Sequence, residues 1–97
     1  MNTYIYVLKL SKRLQEEQAW TQNDEDALEA HFERIKNDHQ SGKIIHVGRT
    51  ENPNQDGFGL VVFKANTLEE AIDYMNADPA VMGKQMSATV FPYKHIF

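Results

Sequence analysis

The predicted β-strands of this chain carry apolar residues on both faces, yet the sequence contains only two long helical segments to cover them. Side chains alternate between the two faces of a strand. In residues 4–10 one face consists of Tyr4, Tyr6, Leu8 and Leu10, and the other of Ile5, Val7 and Lys9. A strand that is apolar on both sides needs cover on both sides. Two helices cover one face of a small sheet, so we expect a second copy of the same sheet to cover the other.

Capping and turn residues divide the chain into alternating strands and helices. We predict strands over residues 4–10, 43–49, 58–64 and 86–93. A first helix begins near Asn23 as N-cap, buries Leu28, Phe32 and Ile35, and ends at Gly42. A capping box of Thr67 and Glu70 opens a second helix, whose predicted buried stripe is Leu68, Ala71, Ile72 and Met75. A further short helical turn begins at Asp78-Pro79 and closes at Gly83.

This order, β-α-β-β-α-β, predicts one α+β domain over residues 1–97. Short connections and right-handed crossovers lead to a ferredoxin-like fold, in which a four-stranded antiparallel sheet carries both helices on one face. Residues 50–57 have the composition of a turn. Residues 11–22 are ambiguous, because Leu14 and Trp20 suit either a loop or a short helical piece.

Composition excludes several classes of function. The net charge is -4 and the ten basic residues are scattered, which argues against nucleic-acid binding. The absence of cysteine excludes disulfides and thiol catalysis. No basic segment precedes an apolar run, and no run is long enough to cross a bilayer, so we expect a cytoplasmic protein that is not bound to membranes. The histidines are not spaced as metal ligands are, and the sequence has no glycine-rich loop of the kind that binds a cofactor phosphate. We therefore predict no metal and no cofactor.

His31 is the strongest candidate for acid–base chemistry. It follows Leu28 by three residues and precedes Ile35 by four, which places it on the inward face of the first helix. Two interpretations stay open: a core histidine with a structural hydrogen bond, or a general acid or base beside a cavity. Asp78, at the end of the neighbouring second helix, is the candidate partner, although an aspartate before proline is also a routine helix cap. Arg49, His46 and Tyr6 are predicted to bind the substrate.

The chain resembles the YciI-like (YCII-related) family of small dimeric α+β barrel proteins. The resemblance rests on the order of several short stretches along nearly the whole chain, namely residues 4–8, His31, 42–48, 57–63, 68–71, 77–81 and 89–92. It implies a ferredoxin-like fold, a face-to-face homodimer and a site built on a histidine and an aspartate, here His31 and Asp78. It also implies lyase- or isomerase-like chemistry on small, often aromatic, molecules.

The chain departs from that family pattern at two places. An arginine often precedes the helix histidine in the family, whereas residues 26–29 here are Asp, Ala, Leu and Glu. The family also tends to have Gly-Pro after the second strand, where this chain has Gly48-Arg49. Arg49 is therefore a candidate replacement for the missing cation.

Two classes of function follow from these residues. The first is a cofactor-independent enzyme in which His31 moves a proton and Asp78 orients the imidazole. The second is a dimeric small-ligand-binding or accessory module without catalysis, since fold alone does not determine function. A cofactor-free monooxygenase of the same fold is a further alternative.

Overall fold

A computed structural model describes residues 1–51 and 56–97 of the chain. Within these ranges the strands are β1 (Asn2–Leu10), β2 (Ile44–Arg49), β3 (Gly59–Ala65) and β4 (Met86–Pro92), and the helices are α1 (Gln22–Gln40), α2 (Leu68–Asn76) and α3 (Pro79–Met82). The strands pair antiparallel in the order β2-β3-β1-β4. The predicted α+β, ferredoxin-like fold is thus confirmed. Residues 52–55 of the predicted 50–57 turn lie outside the described residues.

The register of the central strand β1 defines the two faces of the sheet. Tyr6 lies opposite Val61 of β3 and Val90 of β4 on the face that carries the helices. The neighbouring residue Ile5 lies opposite Val62 and Phe91 on the other face. In β2 the register shifts between Ile44 and His46, a β-bulge that places His46 opposite Val62 and Val47 opposite Val61.

The apolar core lies between the helix-bearing face of the sheet and the helices. Its buried members are Tyr4, Tyr6, Leu8, Ile35, Ile44, Val61, Phe63, Ala65, Ala71 and Met75. The aromatic rings of Tyr6, Phe63 and Tyr74 pack together, with centroids 4.8 to 6.2 Å apart. The core therefore surrounds Tyr6 in the centre of the sheet, next to the helix that carries His31.

The start of α1 differs from the prediction. Its N-cap is Thr21 and not Asn23: the Thr21 hydroxyl accepts a hydrogen bond from the Asp24 backbone N–H, and the Asp24 carboxylate accepts one from the Thr21 backbone N–H. This reciprocal capping box satisfies two donors at the start of the helix, whereas an Asn23 cap would have left Asp24 unused. The helix ends as predicted, with Gly42 at a φ of 88°.

Residues 11–20 form two short 3₁₀ turns, Lys12–Gln15 and Glu17–Ala19. Leu14 is buried, and its carbonyl accepts a hydrogen bond from the Trp20 indole at 3.0 Å. The Ser11 backbone N–H donates to the Gln85 carbonyl, just before β4. The segment is therefore bound to the start of β4, and Arg13 binds it to Asp24 at the start of α1.

The predicted helix stripes are only partly buried. Ala71 and Met75 of α2 are buried as expected, but Leu68 and Ile72 are 44% and 38% exposed. Phe32 of α1 is 56% exposed, so its predicted burial is wrong as well. No helix within the described ranges combines the length and the apolar character needed to cross a bilayer.

Candidate functional site

His31 and Asp78 form a buried pair where α1 passes the start of α3. The Nδ1 atom of His31 lies 2.7 Å from Oδ1 and 2.8 Å from Oδ2 of Asp78. Both residues are almost inaccessible to solvent, at 3% and 0% exposure. The structure thus brings together two residues that are 47 positions apart in the chain.

Asp78 also caps α3, so its two suggested roles coexist in one carboxylate. Oδ1 accepts a hydrogen bond from the Ala80 backbone N–H at 2.9 Å, and Pro79 occupies the first turn of the helix. Oδ2 accepts a hydrogen bond from the Tyr6 hydroxyl at 2.8 Å. A carboxylate held from three directions has a fixed orientation, and it fixes in turn the imidazole that it contacts.

The electrostatic environment keeps Asp78 ionised. Burial by itself raises the pKa of this carboxyl group. The hydrogen bond and charge of His31, with the hydrogen bonds from Tyr6 and Ala80, outweigh burial and leave the pKa below its usual value. Burial, followed by the nearby charge of Asp78, raises the pKa of Tyr6 above its usual value. Tyr6 therefore remains a hydrogen-bond donor throughout the physiological pH range.

Arg34 supplies a cation beside this pair, although it was not among the predicted site residues. Its Nη1 atom is buried without a hydrogen-bond partner in the described parts of the chain and lies 4.0 Å from Oδ2 of Asp78. Its guanidinium stacks on the Tyr74 ring at 3.9 Å and donates to the Tyr74 carbonyl at 2.6 Å. The sequence signal was its position three residues after His31, which places both on one helix face.

A cavity of about 590 Å³ opens beside His31, between α1 and the ends of β2 and β3. Most of its wall is apolar, and its large side chains include Leu8, Trp20, Leu28, Phe32, Ile35, Phe58 and Met86. His31 and Arg49 are the ionisable residues among the described lining residues. A mostly apolar cavity with a few polar groups has the usual character of a small-molecule site.

The predicted substrate-binding residues occupy three different environments. Arg49 lines the cavity that contains His31. Tyr6 is fully buried and contacts Asp78, so it is placed to orient the carboxylate and not to touch a ligand in this cavity. His46 pairs with Val62 of β3 and lies outside this cavity, in a separate groove that it shares with Lys36 and His39 of α1.

The arrangement is suited to moving a proton at one imidazole nitrogen. Because Nδ1 of His31 is held by the ionised Asp78, the favoured neutral tautomer has its proton on Nδ1. The Nε2 atom has no hydrogen bond with any described residue, so its lone pair is available to accept a proton. Within residues 1–51 and 56–97, no group of three acidic or histidine side chains is placed to hold a metal ion.

Fold and site together define a small α+β protein with ferredoxin-like topology and a buried histidine–aspartate pair beside a cavity. The sequence matches the model of the YCII-related domain over residues 5–94, so the chain belongs to the YCII-related family. Comparison with curated proteins returned no match.

Proposed function

We propose that the protein is a cofactor-independent enzyme that moves a proton within a small molecule, in an elimination or an isomerisation. The observation that carries this proposal is the contact of His31 Nδ1 with both oxygens of buried Asp78, at 2.7 and 2.8 Å, while the same imidazole lines a cavity. A histidine with a purely structural role needs a hydrogen-bond partner but does not need a cavity beside it.

The proposed reaction begins when Nε2 of His31 takes a proton from a carbon of the bound substrate. The imidazolium that forms is stabilised by Asp78, as in other histidine–aspartate pairs. In an isomerisation Nε2 returns the proton to a different carbon, and in an elimination it gives the proton to the leaving group. Either step restores neutral His31 and needs no oxidant or reductant.

Residues outside the cavity support this role for Asp78. Tyr6 and the Ala80 backbone N–H hold the carboxylate in place, and Arg34 lies 4.0 Å from it. Their contribution is orientation and charge balance, because none of the three lines the cavity. A preorganised pair of this kind stabilises the developing charge without rearranging during the reaction.

We also propose that the protein acts as a homodimer through the sheet. The outer face of the sheet, formed by Ile5, Val7, Leu60, Val62 and Phe91, is the side away from the helices. Phe91 is 48% exposed there in the single chain. A second copy of this face would cover Phe91 and the half-buried side chains of Ile5, Val7 and Leu60, whereas Val62 is already buried in the single chain.

The catalytic proposal is tested by hydrogen exchange from solvent, which does not require the natural substrate. A panel of small carbon acids, including lactones and arylacetates, is incubated with the protein in D₂O and deuterium incorporation is followed by mass spectrometry. We expect exchange into at least one compound, reduced about 100-fold or more in His31→Gln and in Asp78→Asn.

The matched control is His39→Gln, which changes an exposed histidine on the same helix. It should exchange at the rate of the unmodified protein. Equal exchange by the unmodified protein and His31→Gln would refute the role of His31. Saturable binding of panel compounds without any exchange would instead favour the alternative function, a ligand-binding module.

A further inference from the structure

The cavity beside His31 has an unbalanced charge composition. Among the described residues that line it, Arg49 is the one with a permanent charge, and no aspartate, glutamate or lysine is present. Asp78, which contacts His31, and Asp38, which lies 3.9 Å from Arg34, do not line the cavity. From the described lining residues, a ligand in this cavity therefore meets one fixed positive charge and no negative charge.

Arg49 is well placed to bind an anion. It is the last residue of β2, where it pairs with Gly59 of β3 at the cavity. Its side chain is exposed, and Nη1 donates a hydrogen bond to the Thr50 carbonyl at 3.1 Å. A guanidinium has five N–H donors arranged in a fork that matches the two oxygens of a carboxylate. No other described residue forms a hydrogen bond with the Arg49 guanidinium, so an edge of that fork is available to a ligand.

The rest of the wall favours an apolar body. Phe32 and Phe58 line the cavity although they are 56% and 41% exposed, and Trp20 lines it as well. Exposed aromatic side chains gathered at one cavity offer flat surfaces for stacking a planar group. The volume of about 590 Å³ lies in the usual range for small-molecule sites, roughly 300–1,000 Å³.

From these observations we infer that the substrate class is a small apolar or aromatic monocarboxylate, bound with its carboxylate on Arg49 and its apolar part against the aromatic wall. The inference rests on the proposed function for the identity of His31 as the proton-transfer group. Arg49 acts in binding and specificity: it selects an anion over a neutral molecule of the same shape, because a neutral group does not form the charge-assisted pair.

The test uses Trp20, the single tryptophan of the chain, as a reporter inside the cavity. Its fluorescence is titrated with phenylacetate and with phenylacetamide, which has the same shape but no charge. We expect saturable binding of phenylacetate at least about tenfold tighter than that of phenylacetamide. Arg49→Gln should remove most of this preference, and Arg49→Lys should keep part of it.

Lys36→Gln is the matched control, since it removes one positive charge from α1 outside this cavity. It should keep the full preference for phenylacetate. Equal affinity for the acid and the amide, an unchanged preference in Arg49→Gln, or no saturable response to phenylacetate would each overturn the inference. The first and third outcomes are measured on the unmodified protein, so they do not depend on the folding of a variant.

His31→Gln separates this inference from the catalytic proposal. If both hold, that variant binds phenylacetate with the preference of the unmodified protein but no longer promotes deuterium exchange. If only the catalytic proposal fails, the preference for phenylacetate remains and exchange is absent in every variant. If only the substrate class fails, exchange depends on His31 while phenylacetate and phenylacetamide bind alike.

Discussion

At the scale of single residues, the site depends on how a fully buried carboxylate is kept charged. An isolated ionised group is costly to bury unless it is paired and hydrogen-bonded. Asp78 has an imidazole, a phenol and a backbone N–H in direct contact, and the Arg34 guanidinium 4.0 Å away. The same contacts that offset the cost of burial determine which nitrogen of His31 carries the proton.

The first prediction concerns that proton. Since Asp78 accepts from Nδ1, neutral His31 should populate the Nδ1–H tautomer, with Nε2 unprotonated. Long-range ¹H–¹⁵N NMR spectra recorded over a pH series distinguish the two tautomers of the neutral ring. In Asp78→Asn the carboxylate is lost and the fixed preference should weaken, whereas the exposed His39 should show the same spectrum in both proteins. An Nε2–H tautomer of His31 in the unmodified protein would contradict the assigned arrangement.

The second prediction concerns the hydroxyl of Tyr6. Tyr6→Phe removes a hydrogen bond to a buried charged group, so we expect the free energy of unfolding to fall by about 1.5–3 kcal/mol. Tyr4→Phe is the control, because Tyr4 lies on the same face of β1 but its hydroxyl forms no hydrogen bond with any described residue. Its effect should stay within about 0.5 kcal/mol. Urea denaturation measures both variants, and equal losses would argue against the Tyr6–Asp78 bond.

Local spacing revealed His31 but did not reveal its surroundings. Leu28 and Ile35 lie three residues before and four residues after His31. Because helix positions three and four apart share a face, this spacing predicted that His31 faces the core. Asp78 was predicted as the partner of His31 only because the two helices were expected to pack side by side. The two residues are 47 positions apart, so no local sequence pattern connects them. Arg34 satisfied the same spacing rule as His31 and was overlooked, as a charged residue on that face is usually read as solvent-exposed.

At the scale of secondary-structure elements, Asp24 joins three parts of the chain. Arg13 donates two hydrogen bonds to its carboxylate, both at 2.8 Å, and Gln85 donates one at 3.0 Å. Thr21 completes the set at the start of α1. This carboxylate therefore links the 3₁₀ turns, α1 and the residue before β4. The Thr21-x-x-Asp24 spacing is visible in the sequence, but the contacts with Arg13 and Gln85 arise only from the fold.

The third prediction follows from the charge of Asp24. The hydrogen bonds from Arg13, Gln85 and Thr21 hold the pKa of Asp24 far below its usual range. A group whose pKa is lowered by folding stabilises the protein above its unfolded pKa, and this contribution is lost as the pH falls. Asp24→Asn should therefore be less stable than the unmodified protein near pH 7, with a difference that shrinks below about pH 4.

The control for this experiment is Asp26→Asn, two residues further along the same helix. Asp26 is exposed and accepts a hydrogen bond only from Gln22 among the described residues, at 2.9 Å. Its replacement should have little effect at either pH, because exposed polar pairs contribute little to stability. Thermal unfolding of the three proteins across this pH range measures the difference. A gap between Asp24→Asn and the unmodified protein that stays constant on acidification would show that charge is not the cause.

At the scale of the whole molecule, the two faces of the sheet differ in what covers them. The helix-bearing face encloses the core and the cavity, and the alternation of residues along β1 predicted its members correctly. The outer face follows from the same alternation, with Ile5, Val7 and Val62 meeting at the middle of the sheet. The strand pattern therefore predicts which side chains a partner would cover.

The last prediction tests whether a second copy supplies that cover. Val7→Lys places a charge in the centre of the outer face, where two like charges would meet across a symmetric interface. Lys9 already occupies that face in β1, so the strand itself tolerates the side chain and the effect should fall on association. Sedimentation velocity should show a dimer for the unmodified protein and a monomer for Val7→Lys.

Ile72→Lys is the control, because it introduces the same charge on α2, on the opposite side of the sheet. Ile72 is an apolar residue that is 38% exposed, and the Ile72→Lys variant should remain dimeric. A monomeric unmodified protein at micromolar concentration, or dissociation by both variants alike, would mean that the outer face does not bind a second copy.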